Sequence, residues 1–257
     1  MDDPVRTFYD RLAPGYHRIY ADWHASIGRQ AGILGRLIER ELGAGPRDIL
    51  DAAAGIGTQA LGLAALGHRV HATDLSPAAI ARLRHEAATA GVEITTDVAD
   101  LRSLGDVVDA RFDVVMACDN ALPHLLTDED MHMAVAQMSA RLRRGGLFLA
   151  SIRDYDRIAD ERPTGEHPRV VDDQDGRRIS FQVWEWAADG RTYRLHQFFV
   201  RRSGDGWQTD HAEVEYRALR RAELELAVAT AGLSAMAWHE PADTGFHQPI
   251  ITARALP

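Results

Sequence analysis

Three carboxylates and two glycines set the chemistry open to this chain. Asp51 ends a short apolar stretch, Gly55 and Gly57 follow it, and Asp74 stands 23 positions after Asp51. Glycines so placed let the backbone turn sharply and a ligand approach closely. The helix expected beyond them offers unpaired N–H groups at its start. An acidic residue where Asp74 stands can accept hydrogen bonds from both ribose hydroxyls of an adenine nucleoside. Asp100-Leu101 adds a carboxylate for the adenine amino group and a side chain to pack on the ring.

A dinucleotide would use the same layout, because its pyrophosphate is met by Gly-x-Gly-x-x-Gly. Counted from Gly55, the third glycine position holds Ala60, which the looser form of that fingerprint permits. Asp51 separates the two readings. A carboxylate just before the glycines suits the ammonium of an amino acid and not a pyrophosphate. S-adenosylmethionine has that ammonium and no phosphate, so it is the expected cofactor in place of NAD.

The elements that must carry these residues alternate. Ile49 to Ala52, Val70 to Thr73, Val92 to Thr95, Phe112 to Ala117 and Leu147 to Ile152 read as strands. Helices are expected over Ser26 to Leu42, Thr58 to Leu66 with Thr58 as N-cap, after Ser76-Pro77, and over Glu129 to Leu142. Such alternation predicts an α/β fold, a doubly wound, mostly parallel sheet of seven strands in a Rossmann-like arrangement. From Gly176 to Tyr216 the rhythm changes to three strand-like segments joined at Ala188-Asp189-Gly190 and Ser203-Gly204-Asp205-Gly206, a hairpin signal. A helix from Arg221 to Ala231 and strands near Leu233 to His239 and Ile250 to Arg254 complete the pattern. Residues 1–257 are therefore expected to form one domain, with residues 1–44 as a helical lid and residues 160–218 as an antiparallel β insertion shaping part of the acceptor site.

Composition narrows the partners. A net charge of −9 argues against a nucleic-acid substrate, since phosphate binding is driven by clustered Lys and Arg. One cysteine, Cys118, excludes an intramolecular disulfide and any zinc site built on several thiolates. The twelve histidines show no His-Glu-x-x-His grouping, and no metal is expected. The acidic opening Met1-Asp2-Asp3-Pro4 and the lack of a long apolar run predict a cytoplasmic protein with no membrane partner. Oligomerisation stays open, and the partner expected is a small molecule.

Asp51 to Gly57, Asp74, Asp100-Leu101 and Arg144-Gly145-Gly146-Leu147 resemble the successive motifs of the class I S-adenosylmethionine-dependent methyltransferases, over about residues 45 to 155. Most of that class has glycine where this chain has Ala53; the glycine/sarcosine N-methyltransferase branch has alanine there. Asn120-Ala121-Leu122-Pro123-His124-Leu125 and Arg153-Asp154-Tyr155-Asp156 also resemble segments of that branch. The resemblance implies donor contacts from Asp51, Ala53, Gly55, Gly57, Asp74 and Leu75, and from Asp100, Leu101 and Cys118. Tyr20 and Arg29 are similar in placement to residues that close over the donor. Asn120, Arg153 and His124 are the implied acceptor-side residues.

Plainer readings stand beside these. Asp51 could cap a turn and Asp100 a helix; Asp119 and Asn120 could be ordinary polar loop residues. Arg153 could pair with Asp154 or Asp156. His124 is either a structural histidine or the one base available to an acidic hydroxyl acceptor. Tyr16, Tyr20 and Trp23 either pack the N-terminal helix or form the lid, and Trp184, Trp186, Tyr193 and Phe199 are expected to pack on two faces of a sheet. A sulfonium donor needs little from the protein beyond a lone pair held in line and water excluded. The lack of a stronger histidine motif favours nitrogen in a small molecule, an amino-acid-like amine or an N-heterocycle, as the atom methylated. An O-methyltransferase and a non-catalytic nucleoside-binding regulator are the alternatives.

Overall fold

The computed structural model describes residues 3–173 and 176–256. Its first helix, α1 (Pro4–Leu12), starts where the Asp3 side chain accepts from the Val5 and Arg6 N–H groups, with proline at the first position. A short 3-10 turn (Tyr16–Ile19) leads to α2 (Trp23–Leu42). That helix begins three residues before the periodicity suggested, because Asp22 caps it by accepting from Ala25 N–H. Gly43, at φ 82°, ends it.

Strand and helix then alternate through β1 (Asp48–Asp51), α3 (Thr58–Ala65), β2 (Arg69–Asp74), α4 (Pro77–Ala90) and β3 (Ile94–Val98). After β4 (Phe112–Ala117) come α5 (Asp128–Ala140), β5 (Leu142–Ser151) and the short α6 (Tyr155–Glu161). Four long strands follow, β6 (Gly165–Asp173), β7 (Gly176–Trp186), β8 (Thr192–Ser203) and β9 (Gly206–Arg217). The chain closes with α7 (Arg221–Thr230), β10 (Ser234–His239), α8 (Pro241–Thr244) and β11 (Ile250–Arg254).

The main sheet has seven strands in the order β10-β11-β5-β4-β1-β2-β3. Pairing is parallel from β3 to β5, and β11 alone runs against its neighbours. From β1 the chain winds outward through β2 and β3, then crosses back to lay β4 on the other side of β1. Strand order therefore reverses between β1 and β4, and a crevice opens there at the carboxyl ends. One face of the sheet, with Leu50, Val115 and Phe148, packs against α5, α7 and the inner face of β7–β9. The other face, with Ile49, Val114 and Leu149, packs against Leu34, Leu37 and Ile38 of α2 and Leu63 of α3. Each of these buried apolar side chains contributes about 1.5–3 kcal/mol relative to exposure. The later part of α2 thus belongs to the covering layer.

Four expectations are corrected. Thr58 is the first helical residue and not the cap; Gly57, in the left-handed region, takes the cap position, and the Thr58 hydroxyl instead accepts from Trp23 Nε1 at 2.9 Å. The insertion has four strands and not three, because residues 165–173 pair with β7. The β8–β9 turn is Gly204-Asp205, since Ser203 pairs with Gly206. Trp184, Trp186, Tyr193 and Phe199 share one face, as the registers Trp186↔Tyr193, Trp184↔Leu195 and Ser180↔Phe199 require.

Candidate active site

Two cavities meet above the β1/β4 switch point. The first is narrow, about 130 Å³, and is walled by the loops after β1, β2, β3 and β4. Ala53, Gly55, Asp74, Leu75, Asp100, Leu101 and Cys118 all line it. Gly55 has φ 54° and open space where a Cβ would stand, so the backbone there can be approached directly. Gly57 does not line the cavity. Its Cβ would meet Leu83 Cγ at 2.9 Å, so it serves the seating of α3 against α4.

The carboxylates of this cavity differ in their duties. Asp74 Oδ2 accepts from Gly55 N–H at 2.8 Å and Oδ1 from Ser76 N–H at 2.9 Å, which fixes its orientation toward the opening. Burial pushes its carboxyl above the usual range, partly offset by those backbone bonds. Asp100 is both a cap and a cavity residue: it accepts from Arg102 N–H at 2.8 Å and from the Arg102 guanidinium at 2.6 Å. Burial raises its carboxyl, but those Arg102 bonds outweigh it and hold it below the ordinary value. Asp51 lies behind the wall, 1% exposed, and its Oδ2 is buried without a hydrogen-bond partner. Burial, reinforced by Asp74 and partly offset by the Ala53 backbone, pushes the Asp51 carboxyl up to about 7.

At the end of β4 the backbone takes φ 61° at Asp119 and φ 69° at Asn120, two consecutive non-glycine residues in the left-handed region. The strained turn is held because Asp119 N–H donates to Ser151 Oγ at 2.7 Å and Asn120 N–H to Ser151 O at 3.1 Å. It brings the Asp119 carboxylate to the wall shared by both cavities. Tyr20 donates to Asp119 Oδ2 at 3.0 Å, and His247 Nε2 lies 2.7 Å from Oδ1. Burial raises the Asp119 carboxyl, but His247, Tyr20 and Arg153 together bring it below its ordinary value, so it is ionised at neutral pH.

The second cavity, about 840 Å³, lies between α1, α6 and the inner face of β6–β9. Arg153 is its central cation. It donates to Tyr193 Oη at 3.0 Å and Gln182 Oε1 at 3.3 Å, with the half-exposed Glu166 carboxylate 3.5 Å away. Trp184 and Tyr216 flank the guanidinium at 4.9 and 5.7 Å. Asp154 and Asp156 are not its partners; they lie by Arg221 at 3.9 and 3.7 Å. Asn120 is buried and tied on both ends of its amide: Oδ1 accepts from Arg153 N–H at 3.1 Å and Nδ2 donates to Tyr155 Oη at 2.9 Å. Tyr155 Oη meets Tyr193 Oη at 2.8 Å, closing a ring of Asn120, Tyr155, Tyr193 and Arg153. Asn120 therefore positions Arg153 through its backbone.

His124 stands on the first cavity, its Nε2 2.8 Å from Tyr9 Oη. Burial, with the Arg153 charge adding to it and the Glu215 backbone partly offsetting, pushes its imidazole down to about 3. Of the N-terminal residues, Tyr9, Tyr16 and Tyr20 line both cavities, while Arg29 lines only the second and donates to Ser26 Oγ at 3.0 Å. Of the insertion aromatics, Trp184 and Tyr216 reach the second cavity, whereas Trp186, Tyr193 and Phe199 do not line it.

Asp119, Tyr9 and His247 belong to this site and were not singled out from the sequence. Asp119 adjoins Asn120 in the segment that carried the resemblance, so adjacency was the available signal. His247 lies 128 residues further on in a loop, with no spacing to mark it.

Residues 49–146 match the family model described as a methyltransferase domain. They run from β1 into β5, the five parallel strands of the sheet, and their loops wall the first cavity. That stretch is similar to a methyltransferase domain. A glycine/sarcosine N-methyltransferase of Parasynechococcus marenigrum is 31% identical over 137 residues, 53% of this chain and 48% of that protein. The chain thus spans about half the length of this curated relative. Across the whole chain, the CcbJ methyltransferase from Streptomyces caelestis superposes with a TM-score of 0.76 at 23% identity, covering 100% of both. CalS10 of Micromonospora echinaspora, described as an amino pentose methyltransferase with S-adenosylmethionine bound, does so with a TM-score of 0.74 at 22% identity, covering 89% of this chain and 91% of that one. The fold on either side of that stretch, insertion included, is shared with these structures. No helix among the described residues is long and apolar enough to cross a membrane.

Proposed function

We propose that the protein transfers the methyl group of S-adenosylmethionine to the nitrogen of a small polar amine. The observation that carries this reading is the ionised Asp119 carboxylate at the wall shared by the two cavities, facing Arg153 across the second. A carboxylate there attracts an ammonium, and a guanidinium opposite can take a carboxylate or another electron-rich oxygen of the same molecule. The size of the second cavity favours an amine larger than glycine. The names of the relatives, a glycine/sarcosine N-methyltransferase and an amino pentose methyltransferase, bracket that range.

The first cavity fits the donor. Asp74 has lone pairs left for ribose hydroxyls, Leu75 and Leu101 offer apolar surface to the base, and Asp51 keeps an unpartnered buried oxygen that an ammonium, direct or through one water, would satisfy. When bound, S-adenosylmethionine supplies an electrophilic methyl on a sulfonium. The protein's own task is to orient the acceptor, shed its ammonium proton and exclude water. Tyr9, Tyr16 and Tyr20, between the two cavities, act as the lid. The ammonium proton is lost to water as the amine enters, and Asp119, held by Tyr20 and His247, then accepts from an N–H of the neutral amine and aims its lone pair at the donor. His124, depressed to about 3 and engaged by Tyr9, is too weak a base for a hydroxyl acceptor, which sets the O-methyl reading aside.

The test is to incubate the protein with labelled donor and separate panels of amines and hydroxylated compounds, then identify products by mass. N-methylated product from an amine larger than glycine supports the reading; product from hydroxyl acceptors alone overturns it. Asp119→Asn is expected to lower turnover roughly a hundredfold, in the range typical for a misplaced acceptor. His124→Gln should change it by only a few-fold. Equal losses in steady-state assays of the two variants would remove Asp119 from the acceptor site.

Donor binding should also depend on Asp51. Its carboxyl is raised from 3.8 to about 7, so the folded protein holds a proton there that the unfolded chain has already released. Stability contributed by that group therefore falls as pH rises from about 4 to about 7, and a bound cation restores it. Donor affinity is expected to rise about tenfold between pH 6 and pH 8. The rise should shrink in Asp51→Asn, as read by calorimetric titration at each pH; an identical slope in both proteins would sink the assignment.

A further inference from the structure

Leu195 and Gln197 of β8 point into the second cavity, so the residue between them, His196, points to the opposite face of the insertion sheet. There it stands directly across from Glu213 on β9, with His211 two residues along on the same face. His196 Nδ1 lies 3.0 Å from His211 Nε2 and 3.2 Å from Glu213 Oε2, and those two partner atoms are 3.9 Å apart. The circle through three atoms so spaced has a radius of about 2.0 Å, the length of a zinc–imidazole or zinc–carboxylate bond. A tetrahedral ion with such bonds sets its ligands roughly 3.3 Å apart, close to the mean of the three separations.

Three neighbours set the geometry of the cluster. Glu185 Oε2 on β7 is 3.3 Å from His196 Nε2 without a hydrogen bond between them, and its negative charge favours the tautomer protonated at Nε2, which leaves the Nδ1 lone pair for a ligand bond. Arg194 faces the other oxygen of Glu213, Oε1, at 3.9 Å, leaving Oε2 to the cluster. Phe198 stacks on His211 at 4.7 Å between centroids and restricts the ring. A hydrogen bond between the two imidazoles alone needs neither carboxylate. None of the three ligand residues lines either cavity, so the cluster is separate from the methyl-transfer site.

We propose that His196, His211 and Glu213 form a binding site for a divalent ion of the zinc type, with a fourth position open to water. Two imidazoles and one carboxylate suit zinc or cobalt and are a poor match for magnesium or calcium, which take oxygen ligands. The sequence gives no spacing signal for the site, because His196 and His211 are 15 residues apart and meet only through the β8–β9 register.

The test uses the full chain, titrated with zinc sulfate by calorimetry and with cobalt chloride by absorbance. One equivalent is expected to bind with a dissociation constant on the order of 1–10 μM. Cobalt should give the intense visible bands of a tetrahedral ion. His196→Gln and His211→Gln should each weaken binding by more than about tenfold and abolish those bands, and Glu185→Gln should weaken it about tenfold through the tautomer. Magnesium should not compete. No saturable zinc binding, or binding unchanged in His211→Gln, overturns the proposal. His211 is 37% exposed on its side chain, so that variant is expected to fold and keeps the test decisive if His196→Gln does not.

Discussion

Asp74→Ala is expected to weaken S-adenosylmethionine binding by roughly ten- to a hundredfold, since removing a charged hydrogen-bond acceptor costs about 1.5–3 kcal/mol. The carboxylate is held by Gly55 and Ser76 N–H groups at the mouth of the first cavity, so it faces a ligand already oriented. Its removal also strips those two N–H groups of their acceptor, and a modest fall in melting temperature should accompany the lost affinity. The two effects separate by measurement. Thermal unfolding without ligand reads the backbone contribution, and calorimetric titration of the folded variant reads the ligand contribution. NAD should show no comparable binding to either protein. Unchanged donor affinity in folded Asp74→Ala would remove Asp74 from the site.

The parts of this molecule legible in its sequence are those decided by local chemistry. The order of β1 to β5 follows from apolar runs bounded by turn residues, and Asp74 and Asp100 were found because each ends or follows a strand. Gly55 and Gly57 show the limit. Both are glycines of one motif, yet one faces the cavity and the other seats α3 against Leu83, a division set by packing between elements. Asn120 shows a second limit. Its residue type suggested a contact to the acceptor, but its amide is closed into a ring with Tyr155 and Tyr193, and Tyr193 comes from a strand 73 positions away. Asp119 was passed over as a loop residue because nothing in a sequence reports a positive φ. Trp184, Trp186, Tyr193 and Phe199 share one face because of a register that pairs Trp186 with Tyr193, and register is fixed by burial on one side of the sheet.

Arg153→Ala is expected to lower turnover on the order of a hundredfold and to raise the acceptor's KM, with donor affinity nearly unchanged. The guanidinium lies in the second cavity, away from the walls formed by Gly55, Asp74 and Asp100, so no donor contact is lost with it. It is largely buried, and its nearest carboxylate, Glu166, is 3.5 Å away and half-exposed. A cation so placed has its charge only partly neutralised by the protein, and an electron-rich group on the acceptor completes it. Tyr193 Oη and Gln182 Oε1 hold the fork in one orientation, while Trp184 and Tyr216 restrict it from the sides, so the group it binds is fixed in angle as well as in distance. Arg153→Lys keeps the charge and loses the planar fork, and should recover only part of the turnover. If charge alone mattered, the lysine variant would match the native protein. If Arg153 held the structure and not the acceptor, both variants would lose donor binding and melting temperature in step with activity, and titration with S-adenosylmethionine would reveal it.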